Sequence, residues 1–356
     1  MTYVRNAWYV GAWAHEVPRN HPLGVQILNE SLVIWRTDAG VLVALEDRCL
    51  HRLAPLSLGR CEGERLRCMY HGLLYDHSGR VVEIPGQNRI SPNLRVRAYP
   101  VVQQHGWIWV WMGDAAAANE ALVPPILGLD RPNHVFGYGQ LDYLVEARLV
   151  TENLLDFSHI TFLHSKSVPV SETWARERPR VREQKRGVRV DRWIRREGLY
   201  GMLNTESLVD TYLCCDFFVP GVLLITGGPY PLGTADVLEG RSPDDCREGD
   251  TFASHAVTPL TDKTARYFYM FGRRPQGDET AYEITDKECA FAEDKAMIEA
   301  QQRNIDANPN ARFIATSADK AIVVFNRLIE KLLQEEHAPR SSTVCSGEAP
   351  SPVALR

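Results

Sequence analysis

Four residues in the first quarter of the chain have metal-binding chemistry and paired spacing. Cys49 and His51 form a C-x-H pair, Cys68 and His71 form a C-x2-H pair, and sixteen residues separate them. Two thiolates and two imidazoles suit a zinc ion, or a 2Fe-2S cluster with two Cys on one iron and two His on the other. A zinc knuckle has the same donors, but its first half is usually C-x2-C and it carries a short helix, whereas these pairs lie among strand-like segments. Gly72 follows the second pair and permits close backbone approach, so nearby amides could donate to cluster sulfurs. Cys61 lies between the pairs and outside their pattern, and reads as an ordinary thiol.

A second set lies in NLLDFSHITFLH, residues Asn153–His164. His159 and His164 are five apart, about 140° around an ideal helix. They can face one metal only if the helix ends or distorts between them, which β-branched Ile160 and Thr161 permit. Taken alone, two His and an Asp near a helix end fit polar core or surface as readily as ligation.

The elements that must carry these residues follow from periodicity. Residues 24–47 read as short strands, Val25–Asn29, Leu32–Arg36 and Val41–Glu46, punctuated by Asp38 and Gly40. Leu66–Met69 and Val81–Ile84 flank a turn at Asp76–Gly79. Trp107, Trp109 and Trp111 alternate, as in a strand with one apolar face. Residues 1–112 thus read as an all-β domain with both Cys/His pairs at strand ends. A connector at Ala115–Pro125 leads to a helix from Leu144 to about His159. Residues 172–186 read as polar loop, and Gly227–Pro229 as a turn. Strands are expected at Arg189–Ile194, Thr211–Val219, Val222–Thr226, Phe252–Val257 and Thr264–Phe271. Helices are expected at Asp286–Asn304 and Ala318–Glu335. The fold class is therefore α+β: an all-β domain, then a domain at 113–340 with an antiparallel sheet flanked by helices, then a mobile tail at 341–356.

Composition excludes several classes. Forty Lys and Arg against 45 Asp and Glu give a net charge of −5, which argues against nucleic acid as the main partner. Eight cysteines spread over 356 residues are not a disulfide scaffold. The N-terminus lacks a signal-peptide pattern, and no stretch approaches the roughly 20 apolar residues that span a bilayer. The expectation is a soluble cytoplasmic protein with no membrane partner.

The stretch Cys68-Met69-Tyr70-His71-Gly72-Leu73, with the C-x-H pair before it, resembles the Rieske domain of non-haem iron aromatic oxygenases. The similarity extends to Val4–Val10, Pro22–Gly24, Ala54–Ser57, Gly106–Trp111, Asn153–His164, Thr258–Pro259 and Phe291–Asn304, in the manner of vanillate and dicamba O-demethylase oxygenase components. It departs at Leu50, where relatives generally carry Pro, and at Leu53, a frequent Gly position. Residues 172–250 resemble those relatives least.

The resemblance implies a mononuclear Fe(II) held by His159, His164 and Asp294, with Glu293 and Asp286 as rival acids and Asn153 in the shell behind the ligands. Such a 2-His-1-carboxylate site leaves positions open for dioxygen. It also implies that Asp156 bridges His71 of one subunit to His159 or His164 of a neighbour, and hence a homotrimer. NAD(P)H would supply electrons through a separate flavin and iron–sulfur reductase, with or without a ferredoxin. The implied reaction is O2-dependent oxidation of a small aromatic substrate. O-demethylation of a methoxy aromatic acid with loss of formaldehyde comes first, with N-demethylation or ring hydroxylation as alternatives. A Rieske electron-transfer protein without oxygenase activity is the reading from another class. Phe217, Phe218, Leu223 and Ile225 are candidate pocket walls that fit core equally well. His255 resembles a substrate-contacting histidine of the dicamba enzyme. Arg273 and Arg274 are possible carboxylate anchors, though surface arginine is the commoner reading.

Overall fold

The computed structural model describes residues 3–203, 207–244 and 251–337. The expected mobile tail, Cys246 and Cys345 lie outside the described residues. The N-terminal region is built from eleven short strands: β1 (Trp8–Trp13), β2 (Leu23–Ile27), β3 (Glu30–Arg36), β4 (Leu42–Glu46), β5 (Arg60–Glu62), β6 (Arg65–Arg67), β7 (Leu74–Tyr75), β8 (Val81–Glu83), β9 (Ala98–Tyr99), β10 (Val101–Gln104) and β11 (Trp107–Trp111). They form sheets ordered β1-β11-β10, β2-β3-β4-β9 and β5-β6-β7-β8.

Strand β3 shows why the metal loops sit where they do. Its side chains alternate between faces, and both faces are buried. Leu32 and Ile34 join Tyr9 and Ile108 in one core, while Val33 and Trp35 join Leu45, Cys49, Leu66 and Cys68 in another. The two cysteines are thus part of a small core that β3 and β4 cover.

The C-terminal region begins with β12 (Val135–Tyr143), α1 (Ala147–Leu155), the one-turn α2 (Ile160–Leu163) and α3 (Thr173–Arg176). Strands β13 (Arg180–Gln184), β14 (Gly187–Glu197), β15 (Val209–Phe218) and β16 (Val222–Tyr230) follow, then α4 (Thr234–Val237), β17 (Thr251–Thr261), β18 (Thr264–Arg273), α5 (Thr285–Ala307) and α6 (Lys320–His337). The seven strands make one antiparallel sheet, ordered β12-β18-β17-β16-β15-β14-β13. On one face, Tyr267 and Tyr269 share a core with α1 and Ile298 of α5, and Phe217 packs on Phe325 of α6.

The other face receives the tryptophans. Trp8, Trp13, Trp107, Trp109 and Trp111 pack with Phe218, Leu224, Phe252, Phe268 and Met270. Strand β11 has no solvated face: Ile108 and Val110 are as fully buried as the tryptophans, in the core shared with β1 and β3. Period-two tryptophans marked the strand correctly, but the short apolar residues between them also face protein.

Three further segments differ from expectation. β12 falls between the connector and the expected helix, in a stretch to which no element was assigned; its Gly137 and Gly139 lower strand propensity, but it pairs along its whole length with β18. Part of the polar stretch 172–186 forms α3 and β13. β13 is an edge strand, where charged residues such as Arg180 and Arg182 are tolerated. Gly227 and Gly228 lie within β16 rather than in a turn. Gly227 has φ +129°, and a Cβ there would meet the Tyr212 carbonyl oxygen at 2.1 Å.

Candidate metal centres

Each cluster loop is closed by backbone hydrogen bonds across its mouth. The Cys49 N–H donates to the Ala54 carbonyl (2.8 Å) and the Leu53 N–H donates to the Cys49 carbonyl (2.8 Å). In the second loop the Cys68 N–H donates to Leu73 (2.9 Å) and the Gly72 N–H to Cys68 (3.0 Å). This turns Cys49 and Cys68 inward, each 1% exposed, while His51 and His71 stand exposed with rings 4.3 Å apart. Gly72 has φ +81°, and a Cβ there would lie 2.8 Å from the Pro85 ring. Arg67 braces the second loop, donating to the Gly72 carbonyl (2.8 Å) and pairing with Glu62 and Glu83.

The donor set fits a 2Fe-2S cluster. Burial, with Cys49 beside it, pushes the Cys68 thiol up, while the Tyr70 and His71 amides donate to its sulfur and pull the other way. The Tyr75 hydroxyl donates to Cys49 Sγ (3.3 Å) and accepts from the Leu50 N–H (2.9 Å). Donors aimed at buried sulfurs are what cluster thiolates accept. Neither Arg67 nor Tyr75 stood out in the sequence. Cys61 is a half-buried strand residue whose thiol is pushed up to about 11 by burial and by Asp38, so it stays protonated.

The second centre assembles where α1 ends. The chain leaves α1 at Asp156, whose carboxylate caps a short 3-10 turn, Phe157–His159, by accepting from the Ser158 N–H (2.8 Å) and hydroxyl (3.0 Å). α2 follows and His164 caps it, so the helix breaks at Asp156, before both histidines, and Ile160–Leu163, where the distortion was expected, form a helical turn. Their rings lie 5.2 Å apart. α5 supplies the acid: Ala290, Asp294, Ile298 and Gln302, spaced by four, form its buried stripe, and Asp294 is the only acid in it. Asp294 Oδ1 lies 3.4 Å from His159 Nε2 and 3.3 Å from His164 Nε2. One donor atom from each of the three residues falls within 4.8 Å of the others.

The hydrogen bonds around the triad decide which nitrogens face inward. His159 Nδ1 is 2.7 Å from the Asp156 carbonyl oxygen, and His164 Nδ1 is 2.8 Å from Glu293 Oε2, which also accepts from the Ser167 hydroxyl (2.7 Å). With both Nδ1 atoms so engaged, both Nε2 lone pairs point at one buried carboxylate oxygen. That arrangement is repulsive without a cation and suits a metal ion. Asn153 donates to Asp294 Oδ1 (3.0 Å), in the position behind the ligands expected for it. Glu293 is not a rival ligand but the residue that orients His164. An acid adjacent to the ligand acid on a helix lies about 100° away, close enough to reach a ligand's far side. For Asp156, the contact to His159 comes from its backbone carbonyl, whereas the sequence reading had its carboxylate bridging the imidazoles. Within this chain the carboxylate is spent on Ser158.

Next to the His159, His164 and Asp294 triad, adjoining it through Ile160 and Ser167, is a cavity of about 390 Å³, lined among others by Val168, Trp174, Ile225, Phe271 and Lys287. Sheet register explains which expected wall residues reach it. Cys215, Ile225, Ala253 and Phe271 form one row across β15–β18, and Leu213 and Gly227 belong to the next. Ile225, Ala253, Phe271, Leu213 and Gly227 of these rows line the cavity. Phe217, Leu223, His255 and Tyr269 form the neighbouring row and lie outside the lining. Phe217 is taken up by Phe325 at 4.8 Å and Leu223 is core. Phe218 points to the tryptophan face. His255 sits one layer behind the wall, stacked on Tyr267 (5.5 Å) and edge-on to Phe271 (5.4 Å), with Nδ1 2.7 Å from the Tyr267 hydroxyl. Burial pushes its pKa down to about 3. Arg273 is paired with Glu279 (2.7 Å), away from the cavity.

This combination of a cluster loop pair with a helix-borne His, His, Asp site matches known proteins along the chain. Residues 7–100 match the Rieske 2Fe-2S domain, and residues 145–335 match the vanillate O-demethylase oxygenase C-terminal domain. The fold and its two centres define a Rieske non-haem iron oxygenase, and the chain belongs to the family of the vanillate O-demethylase oxygenase components. It is 34% identical to a putative toluene-4-sulfonate monooxygenase system iron–sulfur subunit of Comamonas testosteroni, over 94% of this chain and 98% of that one. It is 33% identical to a vanillate O-demethylase oxygenase subunit of a Pseudomonas species, over 89% and 98%. A crystal structure of dicamba monooxygenase bound to dicamba superposes with a TM-score of 0.77 at 27% identity, covering 94% of this chain and 99% of that one. The protein is thus an oxygenase using a Rieske cluster and a non-haem iron. No helix among the described residues is long and apolar enough to cross a membrane.

Proposed function

We propose that this chain is the terminal oxygenase of a cytoplasmic multicomponent system that O-demethylates a methoxy aromatic acid with release of formaldehyde. The observation that carries the reading is the apolar cavity beside His159, His164 and Asp294, large enough for one substituted ring. In it, residues 1–112 are the Rieske domain, with Cys49, His51, Cys68 and His71 as cluster ligands, and 113–340 are the catalytic domain. When bound, the cluster supplies single electrons and the mononuclear iron activates dioxygen. The chain's own residues hold the two imidazoles by Nδ1, exclude water with the Ile160, Trp174 and Phe271 walls, and place the substrate's methyl carbon next to the triad. Hydroxylation of that carbon gives a hemiacetal that loses formaldehyde.

The partners in this reading are a reductase carrying flavin and an iron–sulfur centre, with or without a ferredoxin, and two further copies of the chain in a closed trimer. His51 and His71 stand exposed beside Tyr70, Met69 and Leu53, an apolar surface suited to a neighbouring subunit. The Asp156 carboxylate, half-buried beside the iron site, would receive the neighbour's His71 N–H in addition to its Ser158 bonds.

The test is a panel of methoxybenzoates, N-methyl aromatics and unsubstituted aromatic acids, assayed with a surrogate reductase for formaldehyde, hydroxylated product and NADH consumed. Formaldehyde stoichiometric with NADH from a methoxybenzoate supports the reading. Ring-hydroxylated product without formaldehyde, or product only from N-methyl substrates, replaces it with the corresponding alternative. Two acid-labile irons without a third would leave an electron-transfer protein.

A further inference from the structure

The cavity wall contains one feature that its apolar character does not require. Among the described residues lining it, Lys287 is the only cation. It is half-buried, and its ammonium lies 5.4 Å from the Tyr282 ring centre and 6.0 Å from that of Phe271, with no ion pair among the described residues. The other charged lining residue, Asp286, is exposed at the rim. A lysine ammonium set against aromatic rings in an otherwise apolar wall is placed to meet an anion entering the cavity.

Its position on α5 sets the geometry. Lys287 precedes Asp294 by seven residues, so the two stand about 20° apart around the helix and about 10.5 Å apart along it. Ala290, between them on nearly the same face, is buried and contributes only a methyl group. The N-terminal end of α5, two residues before Lys287, adds partial positive charge in the same place.

We infer that Lys287 recognises the anionic group of the substrate and holds it one ring away from the iron site, selecting aromatic acids whose oxidised substituent lies across the ring from the acid. This rests on the oxygenase reading above and names the substrate class for the same cavity. An aryl carboxylate or sulfonate meets the ammonium, and the ring lies against the Ile225 and Phe271 wall. A substituent in the para position then reaches the triad, whereas an ortho substituent stays near Lys287. A relative named as a toluene-4-sulfonate monooxygenase subunit has in its name a compound of this shape, an anion and a methyl group at opposite ends of one ring.

The experiment is equilibrium binding by calorimetry to the holoenzyme, which needs no turnover. The probes are 4-methoxybenzoate, its neutral isostere 4-methoxybenzamide, 2-methoxybenzoate and the cation 4-methoxybenzylamine. The wild type should bind 4-methoxybenzoate at least about tenfold more tightly than the amide, as a charge-assisted contact requires. In Lys287→Met the acid and amide should bind alike, and Lys287→Arg should restore most of the preference. Preference that survives in Lys287→Met, absence of preference in the wild type, or failure of both probes to bind overturns the inference. Tighter binding of the benzylamine would assign the charged contact to Asp286 and also overturn it. Equal turnover of 2- and 4-methoxybenzoate overturns the one-ring geometry. Selective binding of the acid without formaldehyde would leave anion recognition standing while the O-demethylation reading fails, so the two failures are distinguishable.

Discussion

At the scale of single residues, the iron site depends on groups that never touch the metal. Glu293 bonds the outer nitrogen of His164 and is itself held by Ser167. These contacts hold its carboxyl below the usual range. Glu293→Gln should lower iron affinity by about 10- to 100-fold while leaving cluster absorbance intact, read by iron titration of the iron-depleted protein. Unchanged affinity would show that Glu293 does not orient the ligand. His255 gives a separate, pH-dependent prediction. It titrates at about 3 in the fold and at about 6.5 when unfolded. Between these values the unfolded chain binds a proton that the folded protein excludes. The stability contribution is complete above about pH 6.5 and shrinks as pH falls toward 3, by up to about 1.4 kcal/mol per pH unit. His255→Gln should flatten the dependence of denaturant midpoint on pH between 6.5 and 5; parallel profiles for the two proteins would count against this.

At the scale of elements, the loops and helices that hold the ligands differ in how tightly the backbone constrains them. The first cluster loop places Leu53 at φ +59°, with its side chain 64% exposed. A left-handed residue with a Cβ costs roughly 1–2 kcal/mol, and glycine's extra unfolded entropy returns roughly 0.5–1 kcal/mol of that. Leu53→Gly should therefore stabilise the protein by about 0.5–1 kcal/mol, seen as a higher denaturant midpoint with unchanged slope. A lower midpoint would mean that Leu53 makes contacts outside this chain, as at a subunit boundary. On the iron side, α5 is tied to the start of α1 by Glu299 accepting from the Leu144 N–H (3.0 Å) and Gln302 accepting from the Glu146 N–H (2.9 Å). These bonds fix the height of Asp294 against the histidines that follow α1.

At the scale of the whole molecule, the shared tryptophan core joins the cluster domain to the sheet on whose other face α1 and α5, which position the His, His, Asp site, are packed. If electrons cross between subunits through Asp156, a protomer lacking its cluster and a protomer lacking its iron complement each other. Trimers assembled from a mixture of Cys68→Ala and Asp294→Ala chains should recover a measurable part of wild-type turnover, on the order of a quarter of it, while each variant alone is inactive. Inactive mixed trimers of demonstrated composition would place the electron path within one chain.

Residue types and spacings marked the first centre as metal-binding, whereas the second took its reading from the resemblance of Asn153–His164 and Phe291–Asn304 to the family. The two Cys/His pairs need only short loops, so local sequence carries their whole signal, and the same holds for the strands with strict alternation and for α5. That the helix must break was legible, because a ligand pair five apart cannot face one metal on an unbroken helix, but its place at Asp156, before both histidines, was not. Tertiary structure alone decided what joins distant segments. Asn153 and His159 meet Asp294 across about 140 residues, and Glu293 acquires its role only because His164 lies against that side of α5. It also decided where the substrate cavity opens. Phe217, Leu223, Ile225 and His255 share one face of the sheet and are equivalent by pattern, yet only the row of Ile225 is left uncovered by the helices. β12 and β13 were illegible for the same reason: their pairing with β18 and β14 overrides weak local propensity. The Cys/His pairs thus point to a redox or zinc centre from local sequence, while the position of Lys287 relative to the triad is a property of the folded chain.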